Sequence, residues 1–360
     1  MSLILSHATA RLFYQTTARP GLFGAVPLYR AGSEPVPFSG EPPTRKTVER
    51  ARTMLQSYGV PLEELGVLDV LVFKPQDRRC RKDVVCHLHR GGVTEGGVPY
   101  ALVRHIARDV WVVSPGLCAL QAAEQLEFRE CVEYYYELCG RYRLPLEAHG
   151  TYAECRPATS TAELRDVFDA CSGSWGAKRA RRAIGYVRDG ARSPMETALM
   201  MMLVMPKSEG GLGIRDIEMD VRIPVSGYAT KLTTSRCFFS DIFLRRAQLS
   251  IEYGGIVHEE ASRMASDNER TNALRAMGYD VIDVSRQNFF DRDAFRRTMA
   301  AISRKAGIRP SQLPEGFGWK QEELRRFVLR RWLDDDAPER RVVLPEDSFV
   351  YELPQDDWVC

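Results

Sequence analysis

Residues 236–255 read RCFFSDIFLRRAQLSIEYGG. Two apolar runs rich in aromatic and β-branched residues, 236–244 and 248–253, are separated by Arg245-Arg246-Ala247, the pattern of two successive strands. Each run carries one acid where an apolar residue is expected: Asp241 inside Ser-Asp-Ile-Phe-Leu, and Glu252 at the end of Leu-Ser-Ile-Glu. Paired as a hairpin, the strands would let both carboxylates project together where they splay. Upstream, Ser193-Pro194 caps a helix that carries Glu196 in its first turn. A strand follows at 218–224. Downstream come a helix at 261–277 stopped by Gly278, a strand at 280–284 and a helix at 291–306. The order helix, three strands, helix, strand, helix predicts an α/β unit with a mixed sheet.

The first half predicts a separate α+β unit. A short helix is expected at 1–18 with Ser6 as its cap, then a Pro- and Gly-rich loop over 19–43 and a helix at 44–58. Strands are expected at 67–73, 83–89 and 109–113. Ser114-Pro115 opens a helix with Leu117, Leu120, Ala123 and Leu126 on one face, and a second helix at 128–139 stops at Gly140. The stretch 141–157 reads as a connector, followed by helices at 161–171 and 176–187 and, near the end, one at 320–333. The expected division is 1–150, a basic helical connector at 151–190, the α/β unit at 191–308, and a helix with an acidic tail at 309–360.

A chain of 360 residues suits two domains with an appendage. With 44% hydrophobic and 27% charged residues it builds real cores and is no disordered chain. The longest apolar run, 198–205, stops at Pro206, short of the ~20 residues that a membrane helix needs. The start, MSLILSHATARLFY, lacks the pattern of a signal peptide. The nine cysteines are scattered without a CxxC pair, which predicts reduced thiols and a cytoplasmic protein.

The net charge of +2 conceals an asymmetry. Residues 334–360 hold nine acids against two arginines, so 1–333 carry 48 basic against 39 acidic residues. Lys178, Arg179, Arg181 and Arg182 form the densest basic run. A basic body suits a polyanionic partner, here DNA, since Lys and Arg contacts to phosphates dominate such affinity; a solvated helix face is the plain alternative.

Asp241, Glu252 and the Tyr253 carbonyl, joined by Glu196, make an oxygen-rich set suited to Mg²⁺ or Mn²⁺. Such an ion polarises a phosphodiester and activates water. Exposed strand-end carboxylates are the other reading of the same residues. His258 follows the glycine turn as a general base, a ligand, or a hydrogen-bonded turn residue. Met200, Met201, Met202 and Met205 read as core, and Glu209-Gly210-Gly211-Leu212-Gly213 as a turn, without the Lys and Ser/Thr of a phosphate loop.

These motifs carry a resemblance. Residues 193–306 resemble the Vsr-like endonuclease domain of the PD-(D/E)xK superfamily. The likeness rests on Ser193-Pro194-x-Glu196, Asp241 on a strand, Glu252-Tyr253-x-Gly255 with His258 following, and Asp267-x-x-Arg270 on a helix running into Gly278-Tyr279. It implies a restriction-endonuclease-like fold and Mg²⁺- or Mn²⁺-dependent DNA cleavage in phage defence or DNA repair. Asp241, Glu252 and Tyr253 would hold the metal, with Glu196, His258 and Arg270 assisting. The sequence departs from the pattern at Gly254, where the superfamily commonly has a basic residue and the Vsr-like relatives an Asp.

The first half resembles AbiEi-type antitoxins through Ser6-His7-x-Thr9-Ala10, the strand with His87 and His89, and Ser114-Pro115. That likeness implies a toxin protein as partner. It supplies the alternative function, a non-catalytic DNA- or protein-binding regulator on a degenerate nuclease fold.

Overall fold

The computed structural model describes residues 3–16, 43–61, 63, 65–79, 81–89, 102–107, 110–144, 152–254 and 261–332, with only the backbone of 261–267. The chain divides into two units, Met1–Val187 and Arg188–Cys360. Both are mixed α/β.

In the first unit Leu3–Leu5 (β1) is a strand, where the sequence pattern predicted helix from residue 1. All three residues are buried, and the strand lies between two others at the centre of the sheet. Burial on both sides favours a strand for so short an apolar run. The helix follows at His7–Thr16 (α1). Then come Arg45–Ser57 (α2), capped by Thr44, and the strands Leu68–Val72 (β2), Val84–Leu88 (β3), Val103–Ala107 (β4) and Val110–Val113 (β5). The sheet order is β3-β2-β1-β5-β4, and β4 has no counterpart among the expected strands.

Pro115–Gln125 (α3) starts as expected, with Ser114 Oγ accepting the Leu117 N–H at 3.2 Å. Phe128–Cys139 (α4) ends at Gly140, whose extended backbone turns the chain into the two-residue strands Tyr142–Arg143 (β6) and Ala153–Glu154 (β7). The helices Thr161–Ala170 (α5) and Ala177–Ile184 (α6) then pack on α3 and α4.

All but the last three residues of the expected connector at 151–190 therefore belong to the first unit, which ends at Val187, 37 residues beyond the expected 150. The reason is local. Gly176 takes a left-handed backbone (φ 77°), and a Cβ there would meet the α3 backbone at 3.0 Å. That close approach seats α6 on α3.

The second unit opens with Pro194–Val204 (α7), capped by Ser193 and buried throughout. Ile217–Pro224 (β8), Cys237–Leu244 (β9) and Leu249–Gly254 (β10) follow as an antiparallel meander. Ala261–Ala276 (α8) crosses to Asp280–Ser285 (β11), which pairs parallel with β10. The sheet order β11-β10-β9-β8 is the mixed sheet that the sequence predicted. Ala273 and Leu274 of α8 pack on Ile223, Phe238 and Phe243.

Arg286–Phe290 (α9), Arg292–Lys305 (α10) and Phe317–Leu329 (α11) complete the unit. The last is no appendage. It packs on α7 and on the turn at Lys207–Glu209. Cys237 is disulfide-bonded, against the expectation of reduced thiols; the other six cysteines among the described residues form no disulfide. No described helix is long and apolar enough to cross a membrane.

The turn after α7 is fixed by close packing. Gly210 has φ 96°, and a Cβ there would fall on the Lys320 carbonyl of α11. Gly210→Ala combines a left-handed backbone with a backbone clash, so a loss of about 2–4 kcal/mol is expected. Urea denaturation should show a lower midpoint at unchanged slope, and an unchanged midpoint would mean that α11 is not held there.

Candidate functional site

Glu196, Asp241, Glu252 and Arg270, singled out in the second unit, gather around one place in the sheet. The β9–β10 ladder runs Leu249↔Leu244, Ser250↔Phe243, Ile251↔Ile242 and then stops, so Glu252 falls opposite Asp241. The Tyr253 N–H donates to Asp241 Oδ2 at 2.9 Å. On the other side, Met219↔Ile242 and Val221↔Ser240 flank an unpaired step at which Asp220 faces Asp241. Asp220 is one of three non-glycine residues with positive φ among the described residues, at 50°. Three strands thus bring Asp220, Asp241 and Glu252 to one level, where both ladders open.

Glu196 joins them from α7. Its carboxylate accepts the Arg192 N–H at 2.9 Å and the Ser193 hydroxyl at 3.0 Å, and its own N–H donates to Ser193 Oγ at 3.1 Å. This is an N-cap locked on both sides, so the first turn of α7 holds the acid in place. Burial, then the Asp241 charge, pushes its pKa from the ordinary 4.5 to about 7. Burial also raises Asp241, opposed by the Tyr253 N–H and by Arg270 and Arg192. Glu252 is raised by burial and by Asp241, with Arg270 pulling against them.

Two arginines balance these acids. Arg270 of α8 pairs with Glu252 Oε1 at 2.9 Å and donates to the Phe239 carbonyl of β9. Arg192 pairs with Asp220 Oδ1 at 2.7 Å. Ser250 hydrogen-bonds Glu252 Oε1 and is linked in turn to Ser240 at 2.6 Å. Asp220, Arg192 and the two serines escaped the sequence reading. Asp220 sits in Glu218-Met219-Asp220-Val221-Arg222, which looks like the solvent side of an ordinary alternating strand, and Arg192 is hidden in a basic run.

As placed, no three His, Cys, Asp or Glu residues among the described ones are grouped so as to hold a metal ion. Asp241 Oδ1 and Glu252 Oε2 accept no hydrogen bond among the described residues, whereas both Glu196 oxygens are engaged. A half-buried Asp241 and a buried Glu252 with one open oxygen each match the way Mg²⁺ binds, through one or two carboxylates with several waters kept. His258 lies outside the described residues, as do Gly255 and the Asp267 side chain.

The basic run behaves differently. Arg179 donates to the Ala123 and Leu126 carbonyls at the end of α3, at 3.1 and 2.5 Å. Arg181 pairs with Asp169 at 3.1 Å and donates to the Phe168 carbonyl. The Arg182 guanidinium lies 3.9 Å over the Phe128 ring. Of the four, Lys178 alone is an exposed charge without such a contact among the described residues. Three of the four residues expected on DNA therefore tie α6 to its neighbouring helices. Comparison with protein-family models, curated proteins and solved structures finds no match to this chain.

The raised Glu196 pKa sets a pH dependence. The folded state holds the proton that the unfolded state has released between pH 4.5 and about 7. The stability that this proton contributes is thus full below pH 4.5 and falls as pH rises toward 7, by up to about 3 kcal/mol. Glu196→Gln has no titrating group; its Oε1 can accept the Arg192 N–H while its amide NH₂ donates to Ser193 Oγ. Its stability, followed by denaturation from pH 4 to 8, should lose that decline and exceed the unmutated protein at pH 8. Parallel curves would show that Glu196 is ionised throughout.

Proposed function

We propose that residues 188–332 form a restriction-endonuclease-like domain of the PD-(D/E)xK type that cleaves DNA with Mg²⁺ or Mn²⁺. The observation that carries this reading is a group of four carboxylates, Glu196 and Glu252 buried and Asp220 and Asp241 half-buried, facing two arginines. Glu196, Asp220, Asp241 and Glu252 outnumber Arg192 and Arg270 by two charges, and the mutual repulsion contributes to the upward shifts of Glu196 and Glu252. A divalent cation would relieve that excess. The resemblance of the Ser193–Glu196, Asp241 and Glu252-Tyr253 motifs to Vsr-like nucleases supports the same assignment.

In this reading Asp241, Glu252 and the Tyr253 carbonyl would hold the metal. When bound, the metal polarises the phosphodiester and lowers the pKa of an attacking water. The chain's own residues do the rest. Arg270 fixes the Glu252 carboxylate and offers a cation to the charge that grows on the phosphate. Glu196, poised near neutrality, takes the proton of the water. Arg192 keeps Asp220 neutralised beside Asp241.

Gly254 supports the second reading, a DNA- or protein-binding regulator such as an antitoxin with a toxin partner, because it lacks the cation or the acid of active relatives. The position tolerates a side chain: its φ is outside the left-handed region and a Cβ would meet only Ser285 Cα at 4.0 Å.

Plasmid nicking with Mg²⁺ or Mn²⁺ is the test. Weak nicking is expected from the unmutated protein, falling at least about 10²-fold in an Asp241→Ala, Glu252→Ala double variant. Gly254→Lys or Gly254→Asp should fold normally and raise the rate. Absence of nicking with either metal, in the unmutated protein and both Gly254 variants, would hand the function to the regulator reading.

A further inference from the structure

The helix α10 has two contrasting faces. Phe295, Met299 and Ile302 are buried in the unit. The opposite side carries Arg292, Arg296, Arg297 and Arg304, all exposed. At 100° per residue these four fall within one arc of about 140°, which holds a single acid, Asp293. None of the four side chains has a hydrogen bond or ion pair among the described residues.

Several other basic residues of this unit are tied into the fold. Arg245 pairs with Glu218, Arg246 with Asp216, Lys305 with Asp280, and both Arg325 and Arg326 with Glu322. Arginines that the fold uses have carboxylate or carbonyl partners. The four on α10 have none among the described residues, so a ligand of opposite charge meets no competing contact there.

The face is also anchored to the candidate site. Gly254 of β10 pairs with Ser285, the last residue of β11, and α9 and α10 leave the sheet from that point. Tyr253, next to Glu252, contacts the Phe289 ring at 6.4 Å, and Phe289 stacks on Phe295 of α10 at 5.7 Å. Arg325 of α11 clamps the same turn by donating to the Phe289 and Phe290 carbonyls. The start of α10 is thus held by the strand that carries Glu252. From Arg292 to Arg304 the helix rises about 18 Å, the length of about five base pairs at 3.4 Å each.

We propose that the exposed arginine face of α10 is the surface that follows the DNA backbone away from the site, in place of the basic run at 178–182. The partner is duplex nucleic acid, read through its phosphates without base contacts. Arginine suits this role, since its fork binds phosphate oxygens in pairs. The inference rests on the DNA-acting reading of the second unit, yet it concerns binding and needs no metal.

Binding of a labelled 20-base-pair duplex is followed by fluorescence anisotropy in EDTA from 50 to 300 mM salt. The full chain is compared with an Arg292, Arg296, Arg297, Arg304→Ala variant, and a melting curve confirms that the variant is folded. Loss of up to four phosphate contacts should weaken binding at least tenfold and flatten the salt slope by roughly two to four units.

Should the quadruple variant melt early, Arg296→Gln with Arg297→Gln carries the same test at about half the slope change. Replacing all four by Lys should keep most of the slope. Asp241→Ala with Glu252→Ala should bind at least as well as the unmutated chain, so failed nicking with intact, arginine-dependent binding would refute the nuclease alone. Equal affinity and slope in the alanine variant would overturn the proposal. So would an unmutated chain that ignores the duplex, whether or not it binds vesicles of anionic lipid.

Discussion

The hydrogen bond from the Tyr253 N–H to Asp241 Oδ2 stands where a ladder bond between the central strands would otherwise continue. A carboxylate that accepts a backbone N–H gains about 1.5–3 kcal/mol, which offsets the lost ladder contact and part of the cost of burying the charge. Everything else at the site depends on that substitution. Once the strands part, Glu252 can face Asp241, Arg270 can reach from α8 to both Glu252 and the Phe239 carbonyl, and the Asp220 step opens on the far side. A Leu at 241 would let the ladder close and would leave Glu252 and Glu196 buried without the reason for their placement.

The acids on which the site is built were legible because each breaks a local rule. Asp241 interrupts an apolar strand, Glu252 ends one, and Glu196 follows a Ser-Pro cap, so propensity and position pointed the same way. Asp220 and Arg192 obeyed their local patterns and stayed invisible. An acid at every second position of a strand is what solvent exposure produces, and only the register of β8 on β9 turns this one toward Asp241. The same logic separates the strands that were expected from those that were not. The strand at Leu3–Leu5 is too short to show a period, and its burial comes entirely from the neighbours that flank it.

The domain boundary was misplaced for a related reason. Pro and Gly around 141–157 look like a linker, yet the helices beyond them are tied back by groups that composition cannot reveal. Gly176 permits a backbone approach that no Cβ would allow, and Arg179 caps the carbonyls at the end of α3. Tertiary hydrogen bonds of this kind outweigh the local signal of a flexible stretch.

Arginine therefore does two kinds of work in this chain, and sequence clustering identifies the wrong one. The dense run at 178–182 is dense because α6 needs anchors on several sides, each guanidinium satisfied by a carbonyl, a carboxylate or a ring. The arginines of α10 are spread over thirteen positions and look unremarkable in one dimension. Folded at 3.6 residues per turn they become one continuous charged face with a buried apolar back. A cation that is already satisfied inside the fold must break that contact to meet a phosphate, whereas a free one loses only side-chain entropy. The electrostatic reach of the protein is set by its unpaired charges, and four of those in the second unit lie on the helix that the site strand itself holds in place.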